Sequence, residues 1–193
     1  MKSLILSVVL LLAGPCAICQ QVAKIIIDPA SSLNIHGKTN VNKFLCAQQC
    51  ETLKRDTVDV LLKTKGDVLE LENAFLELNI RDFDCGITQM TNEFRELLLA
   101  DKYPLLKMYL NDVQQLEGSG DWLARITINL AGEESTYRIP VKVHLDDKTL
   151  ICSGKSQVSF VDFNLEPPVK FMGLVKVNEM LDISFNLIIR KLI

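Results

Sequence analysis

The sequence is short of the residues that most often do chemistry. Among 193 residues there are 2 His and 1 Trp, and aromatic residues make up only 6%. Two histidines leave little material for imidazole catalysis or metal ligation, and so few aromatics suggest no aromatic cage. An excess of positive charge is missing too: 21 Lys+Arg stand against 24 Asp+Glu, a formal charge of −3. Nucleic-acid binders carry a basic face, so no nucleic-acid partner is expected. The chain also lacks His-Glu-x-x-His, Gly-x-Ser-x-Gly and any Gly-rich phosphate loop. The expectation is a binding or interaction protein, not an enzyme, with no metal and no cofactor. His36 and His144 read as surface or hydrogen-bonded histidines. Asp82-Phe83-Asp84 reads as local loop chemistry, and Lys54-Arg55 and Arg190-Lys191 as solvated basic pairs.

What the sequence does have is ordinary globular composition, 48% hydrophobic and 23% charged. One apolar run stands apart. Lys2 precedes Leu4 to Ala13, Gly14-Pro15 break the run, and the small residues Cys16, Ala17 and Cys19 follow. This is the layout of a secretory signal peptide over residues 1–19, cleaved before Gln20. The run is shorter than the roughly 20 residues of a membrane helix, so a chain that does not span the membrane by a helix is expected. A lipoprotein signal at Cys16 is the competing reading, and Pro15 fits it poorly. The expected mature unit is residues 20–193, one exported domain, periplasmic or secreted.

Export makes disulfides plausible for Cys46, Cys50, Cys85 and Cys152. Cys46 and Cys50 fall on one expected strand, about 13 Å apart, too far to bridge. Two connectivities remain, of which Cys46–Cys85 with Cys50–Cys152 is favoured; buried free thiols are the alternative.

Most of the chain alternates with period two, the pattern of antiparallel strands buried on one face. Expected strands are Val22 to Ile27, Leu33 to Thr39, Val41 to Cys50, Leu76 to Ile80, Leu106 to Leu110, Trp122 to Leu130, Tyr137 to Val143 and Leu181 to Ile189. Turns are expected at Glu117 to Asp121, Ala131 to Glu134 and Asp146 to Lys148. One segment is helical instead: Met90, Phe94, Leu97 and Leu98 form an apolar stripe within Thr88 to Ala100. Thr88 or Thr91 is expected to cap that helix and Tyr103-Pro104 to end it. Closure of about eight one-sided strands into a barrel would remove the edges, although alternation fits a sandwich as well.

Several stretches together resemble the YceI-like family of exported, lipocalin-like proteins. They are His36-Gly37-Lys38-Thr39-Asn40-Val41, Asp82-Phe83-Asp84-Cys85-Gly86 with Phe94-Arg95 and Asp101-Lys102-Tyr103-Pro104, Ile126 to Gly132, Ser159-Phe160-Val161-Asp162-Phe163, and Gly173 to Val177. The resemblance implies a mainly β, antiparallel barrel of about eight strands with one short helix near one end. It also implies an apolar interior that holds a polyisoprenoid or similar lipid without covalent attachment. On that reading the inward faces offer Leu76, Leu78, Met108, Leu110, Trp122, Ile126, Ile128, Ile183, Phe185 and Leu187 as lining. Each buried CH₂ of a bound chain would contribute about 0.8 kcal/mol. The alternative is a barrel with a filled core, acting through its outer surface as an interaction or stress-related module. The four mature cysteines are not a general feature of the family.

Overall fold

The computed structural model describes residues 20–48, 57–170 and 174–192. The expected signal segment, Cys50 and Lys54-Arg55 lie outside the described residues.

Fourteen strands are named in chain order: β1 (Gln20–Ile27), β2 (Ser32–Lys38), β3 (Lys43–Gln48), β4 (Val58–Lys65), β5 (Val68–Glu72), β6 (Phe75–Asn79), β7 (Phe83–Asp84), β8 (Leu105–Gln115), β9 (Trp122–Leu130), β10 (Glu133–Asp146), β11 (Thr149–Ser159), β12 (Val169–Lys170), β13 (Val175–Lys176) and β14 (Met180–Leu192). One α-helix, α1 (Thr88–Leu97), and short 3₁₀ turns at Ile80–Asp82 and Val161–Phe163 complete the chain. Eight strands close a ring in the order β1, β4, β5, β8, β9, β10, β11, β14, and β1 pairs back onto β14. Every pairing in it is antiparallel. The architecture is the barrel expected from the sequence.

The ring changes strands partway along. β14 pairs with β1 through Ile189 to Leu192 and with β2 through Asp182 to Asn186. At this break Pro29 has no N–H to offer a ladder. Ser31 fills the gap, its Oγ accepting from Ile188 N at 2.9 Å, while Asp28 N donates to Ile188 O at 2.8 Å. Similarly, β8 pairs with β5 near one end and with β6 near the other, with a bulge between Leu110 and Asp112.

One end of the barrel is plugged. Phe83, Phe160, Phe163, Leu78 and Ile80 have almost no exposed surface, and Phe94 and Leu98 of the helix segment join them in one core. Full burial of such side chains is worth roughly 1.5–3 kcal/mol each. The helix begins at Thr88 as expected, but its cap differs. Ile87 occupies the cap position without a side-chain bond. Thr91 turns toward β7 instead: its Oγ1 accepts from Cys85 N at 3.0 Å and donates to Asp84 Oδ1 at 3.3 Å. Helix geometry also stops at Leu97, before Tyr103-Pro104, because Leu99 takes a left-handed φ of 53°.

Cys46 on β3 is bonded to Cys85. β3 and β7 share only the pairs Ala47–Asp84 and Gln48–Phe83, so the disulfide reinforces a weak seam. Cys152 carries a free thiol, so the expected Cys50–Cys152 pairing has no counterpart among the described residues. Its position explains the difference: Cys152 packs into the barrel interior against Ala124, Ile139 and Val141, an apolar setting in which a cysteine serves as a small hydrophobe.

Closing a 39-residue loop, the Cys46–Cys85 bond restricts the unfolded chain by roughly 4 kcal/mol on the chain-entropy model. Paired Cys46→Ala and Cys85→Ala substitutions should lower the unfolding free energy by about 2–4 kcal/mol in denaturant titration.

Candidate functional site

Register places the inward residues of adjacent strands side by side. Trp122, Val141, Gly154, Phe185 and Leu33 form one row across β9, β10, β11, β14 and β2. Nearer the rim, Val143, Cys152 and Leu187 form a second row, and Leu145, Leu150 and Ile189 a third. On the far side Leu62 pairs with Leu71, and Leu69 lies beside Val113. The rim itself is built from the turns at residues 66–67, 116–121 and 147–148.

Exposure along this inner wall follows a gradient. On β14, Leu181 at the plugged end is 5% exposed, while Ile183, Phe185, Leu187 and Ile189 are half-buried. On β10, Ile139 and Val141 are buried, Val143 is half-buried, and Leu145 reaches 68% exposure. On β8, Leu106 is buried, and Met108, Leu110 and Val113 are half-buried. Apolar side chains that face inward yet keep accessible surface are concentrated in the rim half.

The ten residues singled out from sequence all occupy this inner wall, at different depths. Leu78 and Ile128 are buried in the plugged core. Leu76, Met108, Ile126, Ile183 and Phe185 are half-buried against it. Leu110 packs on the smaller cluster of Ala124, Ile139 and Val141. Trp122 and Leu187 are half-buried nearer the rim. Sequence reasoning missed Leu62, Leu69, Leu71 and Leu150, which hairpin register would have found had β4, β5 and β11 been recognised; Val143 and Ile189 fell on the apolar faces of expected strands but were not named as lining.

Polar groups on this wall are few: Ser156 beside Ile183, Thr64 beside Leu69 and Gln115 beside Trp122. His36 faces out, with Nε2 3.3 Å from Ser184 Oγ. Beside it Lys38 Nζ and Gln157 Nε2 donate to the Asp182 carboxylate at 2.8 Å and 2.9 Å and hold that carboxyl below its ordinary range. His144 lies opposite Ile151 and so level with Ile188, whereas His36 lies opposite Asp182. The separation along β14 is about 20 Å, so the two histidines share no site. Asp82 and Asp84 both border a shallow concavity, and Asp84 accepts there from Gly86 N at 2.8 Å and from the Thr91 hydroxyl. Two concavities of this kind lie among the described residues. One of about 340 Å³ sits at the β5–β6 break beside Tyr109, Asn111, Thr127 and Glu134. Another of about 280 Å³ sits beside Arg81, Asp84 and Arg95 at the start of α1. Both are lined largely by polar groups, and the first also touches the wall residues Leu71 and Leu110.

No family model matches the sequence, and no curated protein does. Solved structures do match. BcnA from Burkholderia cenocepacia superposes with a TM-score of 0.64 at 16% identity, over 84% of this chain and 98% of that one. A polyisoprenoid binding domain from Saccharophagus degradans, described as implicated in plant cell wall breakdown, gives 0.60 at 14% identity, over 87% and 98%. The Campylobacter jejuni YceI protein gives 0.51 at 11% identity, over 100% and 90%. The chain shares the fold of the YceI-like proteins. Within that fold no helix among the described residues is long and apolar enough to cross a membrane.

Burial pushes the Cys152 thiol up to about 11. The unfolded thiol ionises near 9, so stability from this group is present below that pH and is lost as pH rises from about 9 through about 11. Tyr137, raised to about 12 by burial and by its bond to Asp162, adds a loss of the same sign at higher pH. Cys152→Ala should flatten the lower part of this decline in thermal melts taken from pH 8 to 11. Mass mapping should also find native Cys152 slow to alkylate at neutral pH and fast in denaturant.

Proposed function

We propose that this protein is exported and holds an apolar chain, polyisoprenoid-like in character, against the inner wall of the rim half of its barrel. The observation that carries the proposal is the exposure gradient. A filled barrel would bury Leu187, Val143 and Leu150 as completely as Leu181, and they are not so buried. An eight-stranded barrel is wide enough to hold side chains or one slender ligand. The plugged half does the first and leaves the rim half for the second.

The chemistry suits a hydrocarbon. The lining is aliphatic, with Trp122 nearest the rim and the unbranched Met108 deeper in, where it can adapt to a flexible chain. No ion pair intrudes on that wall: Lys63–Glu72, Arg125–Asp112 and Lys38–Asp182 are partly exposed pairs, with Arg125 and Asp112 on the outer face. A water-free site with few polar atoms favours a ligand through burial instead of directed bonds. The polyisoprenoid binding domain of like fold supports the same class of ligand. Export rests on the N-terminal segment and agrees with the Cys46–Cys85 disulfide, since disulfides persist in oxidising compartments. The filled-core alternative describes the helix end only.

Protein purified from its own host should release an apolar lipid on extraction and carry its added mass in native mass spectrometry. Trp122 is the one tryptophan, so uptake of a prenol should shift its emission to the blue. Leu187→Asp would place a carboxylate in the apolar wall and should weaken uptake by at least about tenfold. Lipid-free protein whose Trp122 emission ignores every prenol offered would refute the proposal.

A further inference from the structure

The inner wall carries one position where a missing side chain matters. Gly154 on β11 pairs with Phe185 on β14 and, on its other side, with Val141 on β10. A Cβ built on Gly154 would stand 2.6 Å from Phe185 Cζ, 2.9 Å from Cε1 and 3.0 Å from the Pro140 carbonyl oxygen. The tip of the Phe185 ring therefore lies over the neighbouring strand. The ring runs along the wall instead of projecting toward the barrel axis. Gly154 does not have a positive φ, so the backbone does not demand glycine here; the space does.

Phe185 also marks a boundary. It packs against both the plugged core and the smaller cluster of Ala124, Ile139 and Val141. Four residues of β14 separate it from Ile189 near the rim, and four more from buried Leu181. Each step is about 13 Å at about 3.3 Å per residue. The interior of an eight-stranded barrel is only about as wide as the side chains that fill it. One phenyl ring turned inward at this height would divide it.

We propose that Gly154 and Phe185 together set the bore at this boundary and so decide the length of apolar chain the barrel accepts. This rests on the reading that the barrel holds such a chain. With Gly154 in place the ring is parked, and a long chain held in the rim half can extend its end past Phe185 toward half-buried Ile183 and Met108. With any side chain at 154 the ring must swing off the wall, and only the rim half, about 13 Å deep, remains for a ligand. The specificity concerns chain length, because no polar group takes part.

The test compares geraniol with geranylgeraniol, one short and one long prenol, by Trp122 fluorescence. Gly154→Ala should lower the affinity ratio of long to short probe by about tenfold or more. Adding Phe185→Leu to that variant should restore most of the ratio, since the smaller side chain clears both the new Cβ and the axis. Phe185→Trp, read by native mass spectrometry because it adds a second tryptophan, narrows the same place with Gly154 intact, so it should lower the ratio too, and it serves if Gly154→Ala does not fold. A ratio unchanged in folded Gly154→Ala and in Phe185→Trp would overturn the assignment while leaving the lipid-binding reading in place. Failure of the wild-type protein to bind either probe would overturn both.

Discussion

Everything in this molecule depends on the closure of its sheet, where β1 pairs back onto β14 through Lys24–Leu192 to Ile27–Ile189. An open sheet of these strands would leave two edges and one large apolar face. Closure satisfies the ladder and turns that face inward. It also fixes how much space the inward residues must share. The helix end fills its share with phenylalanine rings, and the rim half leaves its inward apolar side chains half-buried.

The helix end is where the ring is least continuous, and the strongest covalent and polar restraints gather there. β7 contributes two residue pairs to β3. Around that short seam stand the Cys46–Cys85 bond, the Thr91 hydroxyl between Cys85 N and Asp84, and the Arg95 guanidinium, which donates to the carbonyl oxygens of Arg81 and Phe83. Main-chain groups that a regular strand would satisfy are met by side chains instead. A rigid floor at one end allows the other end to carry exposed apolar surface without collapse of the whole barrel.

Legibility in the sequence followed the contrast between faces. β9 reads clearly because Arg125, Thr127 and Asn129 alternate with Ala124, Ile126 and Ile128. β4 does not, because Val60, Leu61 and Leu62 are consecutive and put apolar groups on both faces. β11 is hidden for the opposite reason: its inward positions include Gly154 and Ser156, which carry no hydrophobic signal. The apolar stripe of Phe94 and Leu98 located the helix from Thr88, but not its cap, since Thr91 serves the β7 seam and leaves the cap to Ile87. Much of the inner wall could be listed from alternation, yet its division into a plugged and a half-exposed part could not. That division depends on which rings from the helix and from the Val161–Phe163 turn fold across one end, a long-range matter that periodicity does not encode.

The central claim is that an apolar chain lies along the wall between the rim and Phe185. Diffraction from crystals soaked with a long-chain alcohol brominated at its far carbon tests it most directly. An anomalous peak inside the barrel, bordered by Leu187, Val143 and Phe185 or deeper toward Ile183, is the predicted result. A peak only on the outer surface, with the rim half occupied by the protein's own side chains, would contradict it.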